Sequence, residues 1–181
     1  MPHLEKKLNE NIIYKGRIIT VKNDTVVLEN GKTAEREVVV HNGGVSVLPV
    51  YDNLDVLLVR QFRYPYYEEV LEAPAGKLEI GENPFEAGKR ELAEEAGVVA
   101  EKYIDCGNLY PSPGYCSEII HLYIAENLTQ TAQNLDEDEF LDVVRLPLKQ
   151  VFKMTMDGKI PDSKTQVLVL KAAQIHGILL E

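Results

Sequence analysis

The most constraining feature of this sequence is the stretch Gly76–Val98, GKLEIGENPFEAGKRELAEEAGV, because its local signals bound a short helix at both ends. Asn83 can cap the helix, Pro84 suits the first helical position, and Glu86 stands three residues after the cap, as in a capping box. Gly97 is the residue type that most often follows a helix C-terminus. We therefore expect the rest of the chain to be arranged around this helix.

The last turns of the same helix concentrate negative charge on Glu91, Glu94 and Glu95. Like charges at positions i and i+4, as on Glu91 and Glu95, disfavour a bare helix by a few tenths of a kcal/mol, roughly. Acidic side chains at a helix C-terminus also oppose the helix dipole. One interpretation is a solvated acidic helix paired with Lys89 and Arg90. The two penalties favour the other interpretation, a divalent cation such as Mg²⁺ or Mn²⁺ held by oxygen ligands.

This stretch resembles the Nudix box, the signature of the Nudix hydrolases, written G-x5-E-x7-R-E-U-x-E-E-x-G-U with U an aliphatic residue. Every fixed place of the pattern is filled at the required spacing, by Gly76, Glu82, Arg90, Glu91, Leu92, Glu94, Glu95, Gly97 and Val98. A chance match at so many positions is very improbable. The resemblance implies a metal-dependent hydrolase of nucleoside diphosphates linked to another group, with the Nudix α/β/α sandwich fold.

The same resemblance implies roles for individual residues of the box. Glu91 and Glu95 are implied to be the principal metal ligands, and the backbone carbonyl of Ala75 to add a ligand from the loop. Glu94 is implied to help hold a metal or to orient a water bound to it. Arg90 is implied to pair with Glu82, which would hold the loop against the helix and orient the glutamates.

Composition limits the partners that the chain can have. It has 181 residues, which fits one domain or one domain with a small addition, and a net charge of −10. This charge repels nucleic acids and anionic membranes, whereas a cation in the site can reverse the sign locally for a small anionic substrate. Cys106 and Cys116 have no metal-binding spacing, and we expect free thiols in a reducing cytoplasm. The sequence shows neither a signal peptide nor a membrane-spanning segment, which also indicates a cytoplasmic protein.

The N-terminal residues 1–41 are predicted to form a section of strands separate from the main domain, residues 42–181. Strand patterns are found at 12–21, 25–28 and 36–41. The last two flank Asn30-Gly31, a dipeptide that favours a type I′ hairpin turn. The section carries few large apolar residues of its own, so we expect it to pack on the main domain or on a partner subunit.

The main domain is predicted to mix strands and helices. Asp52-Asn53 marks a second hairpin, one helix is expected over Pro147–Met156, and another begins near Asp162. Strands are expected at 45–51, 56–62, 70–73, 103–109, 119–125 and 140–145. The pattern indicates an α+β or a mixed α/β sandwich and not a doubly wound sheet. The resemblance makes it an α/β fold, the Nudix α/β/α sandwich with a mixed sheet, plus the small N-terminal strand section.

Residues outside the box resemble one subgroup, the ADP-ribose pyrophosphatases. Pro113 lies 15 residues beyond the box, where that subgroup carries a marker proline. Arg36 belongs to a strand that resembles the adenosine side of the subgroup's site, and Arg60 and Arg63 to a segment that supplies an arginine to the phosphates. Arg63 is preferred, since a guanidinium can bind a diphosphate at two points; Glu72 also matches a substrate-binding position. Without the box, a proline-glycine turn and surface salt bridges would be the ordinary interpretations.

The acidic segment Asp136–Glu139 is open to two interpretations. A charge run of this kind is commonly a solvated loop. In the subgroup that the chain resembles, a mobile loop at this place supplies a glutamate that acts as general base or as a further metal ligand. Glu137 and Glu139 both fit that role, with a slight preference for Glu137 as the base.

These expectations combine into one predicted function, the Mg²⁺-dependent hydrolysis of ADP-ribose to AMP and ribose 5-phosphate, with Mn²⁺ as a possible alternative metal. The chain would then be an ADP-ribose diphosphatase. One alternative keeps the chemistry with another nucleotide sugar, such as GDP-mannose or UDP-glucose. Another is a non-catalytic sensor of ADP-ribose, which the intact glutamates of the box disfavour. The resemblance further implies a homodimer that exchanges its N-terminal strands, with no nucleic-acid or membrane partner.

Overall fold

The computed structural model describes residues 3–135, 137 and 139–179. They fall into two compact units. The first consists of the chain up to Gly43 together with Tyr110–Ile119, and the second of Gly44–Leu109 together with the chain from Ile120 onward. In the described part of the chain, no helix is long and apolar enough to cross a membrane.

The first unit is built on one antiparallel sheet. Its strands are β1 (Lys6–Asn9), β2 (Ile12–Lys15), β3 (Ile19–Val27) and β4 (Thr33–His41). The long strand β3 pairs with each of the other three. Many apolar side chains of the unit are more than half exposed, namely Leu4, Leu8, Ile12, Ile13, Tyr14 and Ile18. The strand section predicted from the sequence is therefore present, and it leaves apolar surface open.

The hairpin that joins β3 and β4 lies where the sequence predicts it, but its turn type differs. Leu28 donates its N–H to the carbonyl of Lys32 (2.8 Å), and its carbonyl accepts from the N–H of Gly31 (2.9 Å). Gly31 has a positive φ of 78°, whereas Asn30 does not. A type I′ turn needs positive φ at both residues, so that prediction was wrong and the loop has three residues. The Asn30 side chain accepts from the N–H of Lys32 (3.0 Å), a local bond that favours this longer loop.

The second unit contains the predicted mixed sheet. Its strands run in the order β8 (Ala75–Lys77), β5 (Gly44–Pro49), β10 (Ile120–Gln130) and β9 (Val98–Leu109). The pair β5 and β10 is parallel, and the other two pairs are antiparallel. All six residues of β5 are buried, as expected for a central strand covered on both faces.

A second sheet of this unit is antiparallel, with β6 (Asp55–Arg63) between β7 (Glu68–Glu72) and β11 (Leu141–Pro147). The predicted turn between β5 and β6 exists, with Leu54 at a positive φ of 63°. Only the bridge Val50–Val56 pairs the two segments, because each strand then continues into a different sheet.

Helices cover both faces of these sheets. The helix α1 (Pro84–Ala96) packs on one face, while α2 (Leu148–Met156) and α3 (Ser163–Ile175) pack on the other. Along β5, Val47 belongs to the core cluster of α1, and the next residue, Leu48, belongs to that of α2 and α3. The α/β/α arrangement expected from the sequence is thus confirmed.

The ends of α1 are formed by the residues that the sequence marks. The Asn83 side chain accepts hydrogen bonds from the N–H groups of Phe85 (2.9 Å) and Glu86 (3.2 Å). Gly97 adopts a left-handed conformation with φ 62° and donates its N–H to the carbonyl of Ala93 (3.1 Å). Both predicted helix boundaries are confirmed.

Replacing Asn83 with Ala should lower the free energy of unfolding by about 1 kcal/mol, because two N–H groups at the start of α1 lose their acceptor. Urea denaturation followed by circular dichroism measures this change. Asn83→Asp is the matched control, since its carboxylate can still accept both hydrogen bonds, and it should stay close to the wild type. Equal stability of the Ala and Asp variants would contradict a capping role for Asn83.

Candidate functional site

Two carboxylates of α1 point inward from its second half. Glu91 and Glu95 are only 9% and 3% exposed, and the Glu95 carboxylate accepts a hydrogen bond from the N–H of Ala75 in β8 (2.8 Å). Burial raises the pKa of Glu95 to about 8, and it also raises the pKa of Glu91 despite the neighbouring Arg90. Burial therefore destabilises the ionised form of both side chains, and a bound cation would stabilise that form.

The loop glycine Gly76 leaves the space that Glu91 occupies. A Cβ atom at Gly76 would lie 1.9 Å from Oε1 of Glu91, which is a severe overlap. The φ of Gly76 is not positive, so the backbone there does not itself require glycine. The first fixed glycine of the box is therefore needed for room beside a buried carboxylate.

Gly76→Ala should weaken divalent-metal binding about 10- to 100-fold, because the new methyl group displaces the Glu91 carboxylate. The loss of stability should be small, since the displaced group is the far end of a flexible side chain. Isothermal titration with Mn²⁺ measures the first quantity and thermal unfolding the second.

Gly88→Ala is the matched control, because a Cβ there meets only apolar atoms, the nearest being a Val45 methyl at 3.0 Å. This variant should keep the wild-type affinity for Mn²⁺ even where its stability changes. Wild-type metal affinity in Gly76→Ala would contradict the placement of a cation at Glu91.

The donor atoms fit an oxygen-preferring cation that keeps part of its water shell. In the described residues, no three Asp, Glu, His or Cys side chains already form a cluster that could hold a metal ion. Mg²⁺ is commonly bound through one or two carboxylates together with substrate phosphates, and not by an all-protein cage. Glu91, Glu95 and the backbone of Ala75 match that pattern.

Arg90 connects the helix with the loop that precedes it. Its Nη1 lies 2.9 Å from Oε1 of Glu91 and 2.8 Å from Oε2 of Glu94, and its Nη2 lies 3.3 Å from Oε1 of Glu82. Glu82 also accepts the N–H of Glu79 (3.0 Å). The contact between Arg90 and Glu82 that the resemblance implies is present, and the same guanidinium restrains two of the helix glutamates.

The predicted substrate-binding residues of β6 and β7 differ in burial and in their contacts. Glu72 is 1% exposed and accepts two hydrogen bonds from Arg63, from Nε at 2.6 Å and from Nη2 at 2.7 Å. Lys164 of α3 also binds the Glu72 carboxylate. Arg60 is exposed, and it points to the opposite side of β6 from Arg63 because the two are three residues apart. Glu72 thus holds Arg63 in this structure and is covered by it.

The other two predicted substrate residues belong to the first unit. Arg36 of β4 forms an ion pair with Glu5, with Nη2 and Oε1 2.5 Å apart. Pro113 lies in the segment Tyr110–Ile119 of that unit, at a chain turn. Their roles in substrate binding stay predictions.

Of the two candidate bases, Glu139 interacts with the buried glutamates. Burial is the main cause of the raised pKa of Glu91 and of Glu95, and the charge of Glu139 adds a smaller contribution to both. The Glu137 and Glu139 side chains are both exposed. Asp136 and Asp138, which complete the acidic segment, lie outside the described residues.

Sequence reasoning missed the segment that completes the C-terminus of α1. The Gln133 side chain donates to the carbonyl of Glu95 (2.7 Å), and the N–H of Asn134 donates to the carbonyl of Glu94 (3.0 Å). The N–H of Thr131 donates in the same way to Gly97 (2.8 Å). These donors satisfy helix carbonyls that would otherwise lack partners. The polar run Thr129–Asn134 just before the acidic segment was the available signal.

Comparison with known proteins adds two family matches. Residues 40–168 match the NUDIX domain, and residues 5–39 match the nucleoside diphosphate sugar hydrolase N-terminal domain. The second match coincides with the strands of the first unit, and the first includes the whole of α1 and its glutamates.

Curated relatives cover most of the chain. It is 40% identical over 175 residues to the ADP-ribose pyrophosphatase of Bacillus subtilis, with 93% of this chain and 95% of the relative covered. It is 40% identical to the methanol dehydrogenase activator of Bacillus methanolicus, with 91% and 90% covered. It is 37% identical to the GDP-mannose pyrophosphatase of Yersinia enterocolitica, with 83% and 84% covered.

A solved structure shares the fold along nearly the full length. The crystal structure of an ADP compounds hydrolase superposes with a TM-score of 0.83 at 25% identity and covers 97% of each chain. The likeness therefore includes the N-terminal strands as well as the main domain.

Proposed function

The chain belongs to the NUDIX domain family, and on that premise we propose that it is a metal-dependent pyrophosphatase that hydrolyses ADP-ribose to AMP and ribose 5-phosphate. The observation that carries the proposal is the pair of inward carboxylates on Glu91 and Glu95, buried beside a glycine that leaves them room. The 40% sequence identity to an ADP-ribose pyrophosphatase, over 93% of this chain, supports ADP-ribose as the substrate.

The proposed metal is Mg²⁺, with Mn²⁺ as an alternative, held by Glu91, Glu95 and the carbonyl of Ala75. When bound there, such a cation would neutralise pyrophosphate oxygens and would make an attacking water more acidic. Arg90 keeps the carboxylate of Glu91 oriented through its 2.9 Å contact, and it keeps Glu94 near the same site. Because Arg90 already holds these carboxylates in place, they need to move less when the reaction occurs.

Other residues are proposed to bind the substrate and to take up the proton, next to the proposed metal ligands Glu91 and Glu95. Arg63 is proposed to bind the phosphates, because a guanidinium matches two oxygens of a diphosphate at once. An acidic residue of the segment after β10 is proposed to take the proton of the attacking water, and Glu139 is favoured by its electrostatic coupling to Glu91 and Glu95. Arg36, Arg60 and Pro113 are proposed to contribute to the choice of substrate.

A substrate panel tests the proposal directly. The value of kcat/KM is measured for ADP-ribose, GDP-mannose and UDP-glucose, each in buffer that contains Mg²⁺, Mn²⁺ or EDTA. In the presence of either metal, ADP-ribose should give the highest value of the three. AMP and ribose 5-phosphate should be the products, and EDTA should remove the activity. Binding of ADP-ribose without metal-stimulated hydrolysis would contradict the proposal and favour a sensor.

A second candidate substrate is GDP-mannose, which is supported by 37% identity to a GDP-mannose pyrophosphatase. The same buried glutamates would serve this reaction, since the cleaved pyrophosphate is common to both substrates. A larger kcat/KM for GDP-mannose than for ADP-ribose would select this alternative.

We further propose that residues 1–41 form a section that mediates a homodimer through exchanged strands. The apolar side chains left open on this section support an interface, among them Ile12, Ile13 and Ile18. Cytoplasmic location is proposed because Cys106 and Cys116 are both free thiols. The net charge of −10 argues against nucleic acid and anionic membranes as partners.

A further inference from the structure

The first turn of α3 is tied to the strand that carries Glu72. The Lys164 side chain is 10% exposed, and it binds both the Glu72 carboxylate and Oδ1 of Asp162, the latter at 2.8 Å. Lysine is rarely buried to this extent unless its charge is paired. The contact with Glu72, which lies 92 positions away in the sequence, therefore supplies the paired charge that a buried Lys164 needs.

Further hydrogen bonds fix the same junction. Thr165 accepts the N–H of Ala73 on its hydroxyl (2.7 Å) and donates that hydroxyl to Asp162 (2.5 Å). Asp162 also caps α3 by accepting the N–H of Thr165 (2.9 Å). Ala73 is two residues before Ala75, whose N–H binds Glu95. The start of α3 thus determines where Glu72 and the loop beside the glutamates lie.

The two cations on Glu72 differ in access to solvent. The side chain of Arg63 is 38% exposed, that of Lys164 is 10% exposed, and that of Glu72 between them is 2% exposed. Only Arg63 can therefore reach an approaching anion. If Arg63 moved to the anion and no other cation were present, the buried carboxylate of Glu72 would be left unpaired, which is strongly unfavourable.

We propose that Lys164 is a positioning residue that keeps Glu72 neutralised, so that Arg63 can transfer from Glu72 to a phosphate of the substrate. In the absence of substrate, Arg63 is held on Glu72 in the orientation seen here. When a diphosphate binds, Lys164 remains on Glu72 and the cost of releasing Arg63 stays low. The proposal rests on the proposed function, because it takes Arg63 as a ligand of the substrate phosphates.

Charge removal at Lys164 tests this transfer. Lys164→Met should raise KM for the substrate about 10-fold or more and change kcat by less than about threefold, since Arg63 becomes the sole partner of Glu72 and is released less readily. Titration of ADP-ribose and GDP-mannose in EDTA, where no turnover occurs, should show the same loss of affinity. The exposed Lys171→Met on the same helix is the matched control and should keep the wild-type KM.

The double variant Lys164→Met/Glu72→Gln separates positioning from general damage to the fold. It contains no lone buried carboxylate, so its KM should lie within about threefold of that of Glu72→Gln alone. Lys164→Met should therefore raise KM only where the Glu72 carboxylate is present. This comparison tests the proposal even where the single variant Lys164→Met does not fold.

Two results would overturn the inference while the proposed function stands: an unchanged KM in Lys164→Met, or a KM that is 10-fold or more higher in the double variant than in Glu72→Gln alone. Failure of the proposed function looks different. In that case the wild type itself would show no metal-stimulated hydrolysis of either nucleotide sugar, and the role of Lys164 would fall with it.

Discussion

Replacing Glu95 with Gln should lower kcat about 10³-fold and leave the fold intact. A metal ion contributes several kcal/mol of transition-state stabilisation, and each 1.36 kcal/mol corresponds to about tenfold in rate. The amide keeps the size of the side chain and its acceptor for the N–H of Ala75, so the packing of α1 on β8 is preserved. Steady-state kinetics with saturating Mg²⁺ measures the loss, and Mn²⁺ titration should show weakened binding.

The stability of the metal-free Glu95→Gln variant is the control for this result. Burial raises the pKa of Glu95 from 4.5 to about 8, so between these pH values the folded chain retains a proton that the unfolded chain has released. The free energy of unfolding of the wild type therefore falls as pH rises through this window, and the Gln variant lacks this contribution. At pH 8 in EDTA the variant should melt no lower than the wild type. Near-normal kcat in a folded variant would refute the assignment of Glu95 as a metal ligand.

Glu139→Gln should lower kcat about 10²- to 10³-fold, which is the usual contribution of a general base. The reason for choosing Glu139 is electrostatic: burial is the main cause of the raised pKa values of Glu91 and Glu95, and the charge of Glu139 adds a smaller contribution to both. The acidic limb of the pH–kcat profile should also change, because the carboxylate that takes the proton of the attacking water is removed. Mn²⁺ affinity should change much less than in Glu95→Gln.

Glu137→Gln is the matched control, with the same chemical change two residues away on an exposed side chain. It should retain kcat within about threefold of the wild type. The opposite outcome, a large loss in Glu137→Gln with little effect in Glu139→Gln, would return the role of base to Glu137, as the sequence slightly favours.

The helix α1 illustrates which features local signals can predict. Its cap at Asn83 and its stop at Gly97 involve hydrogen bonds within a few residues, so the sequence alone locates both ends. Spacing likewise places Glu91 and Glu95 on adjacent turns. The inward direction of both carboxylates and the space provided by Gly76 need the sheet on which the helix packs.

The turn between β3 and β4 shows where a local signal was misleading. Asn30-Gly31 predicts a hairpin correctly, but a dipeptide does not determine how many residues the loop contains. The pairing of Val27 with Thr33 and the bond from Lys32 to the Asn30 side chain determine it instead. Strand register therefore decides between turn types that the same dipeptide allows.

By itself the sequence indicated the reaction chemistry of this protein, because the Nudix box that Glu91, Glu94 and Glu95 belong to is recognised along the chain without knowledge of the fold. Only the tertiary structure decided how Glu72 is used, since its partner Lys164 is 92 residues away and no periodicity connects them. The same is true of Gln133, which reaches the carbonyl of Glu95 from a separate segment. Contacts between distant segments depend on how sheets and helices pack, whereas caps and helical spacing depend on neighbours within one or two turns.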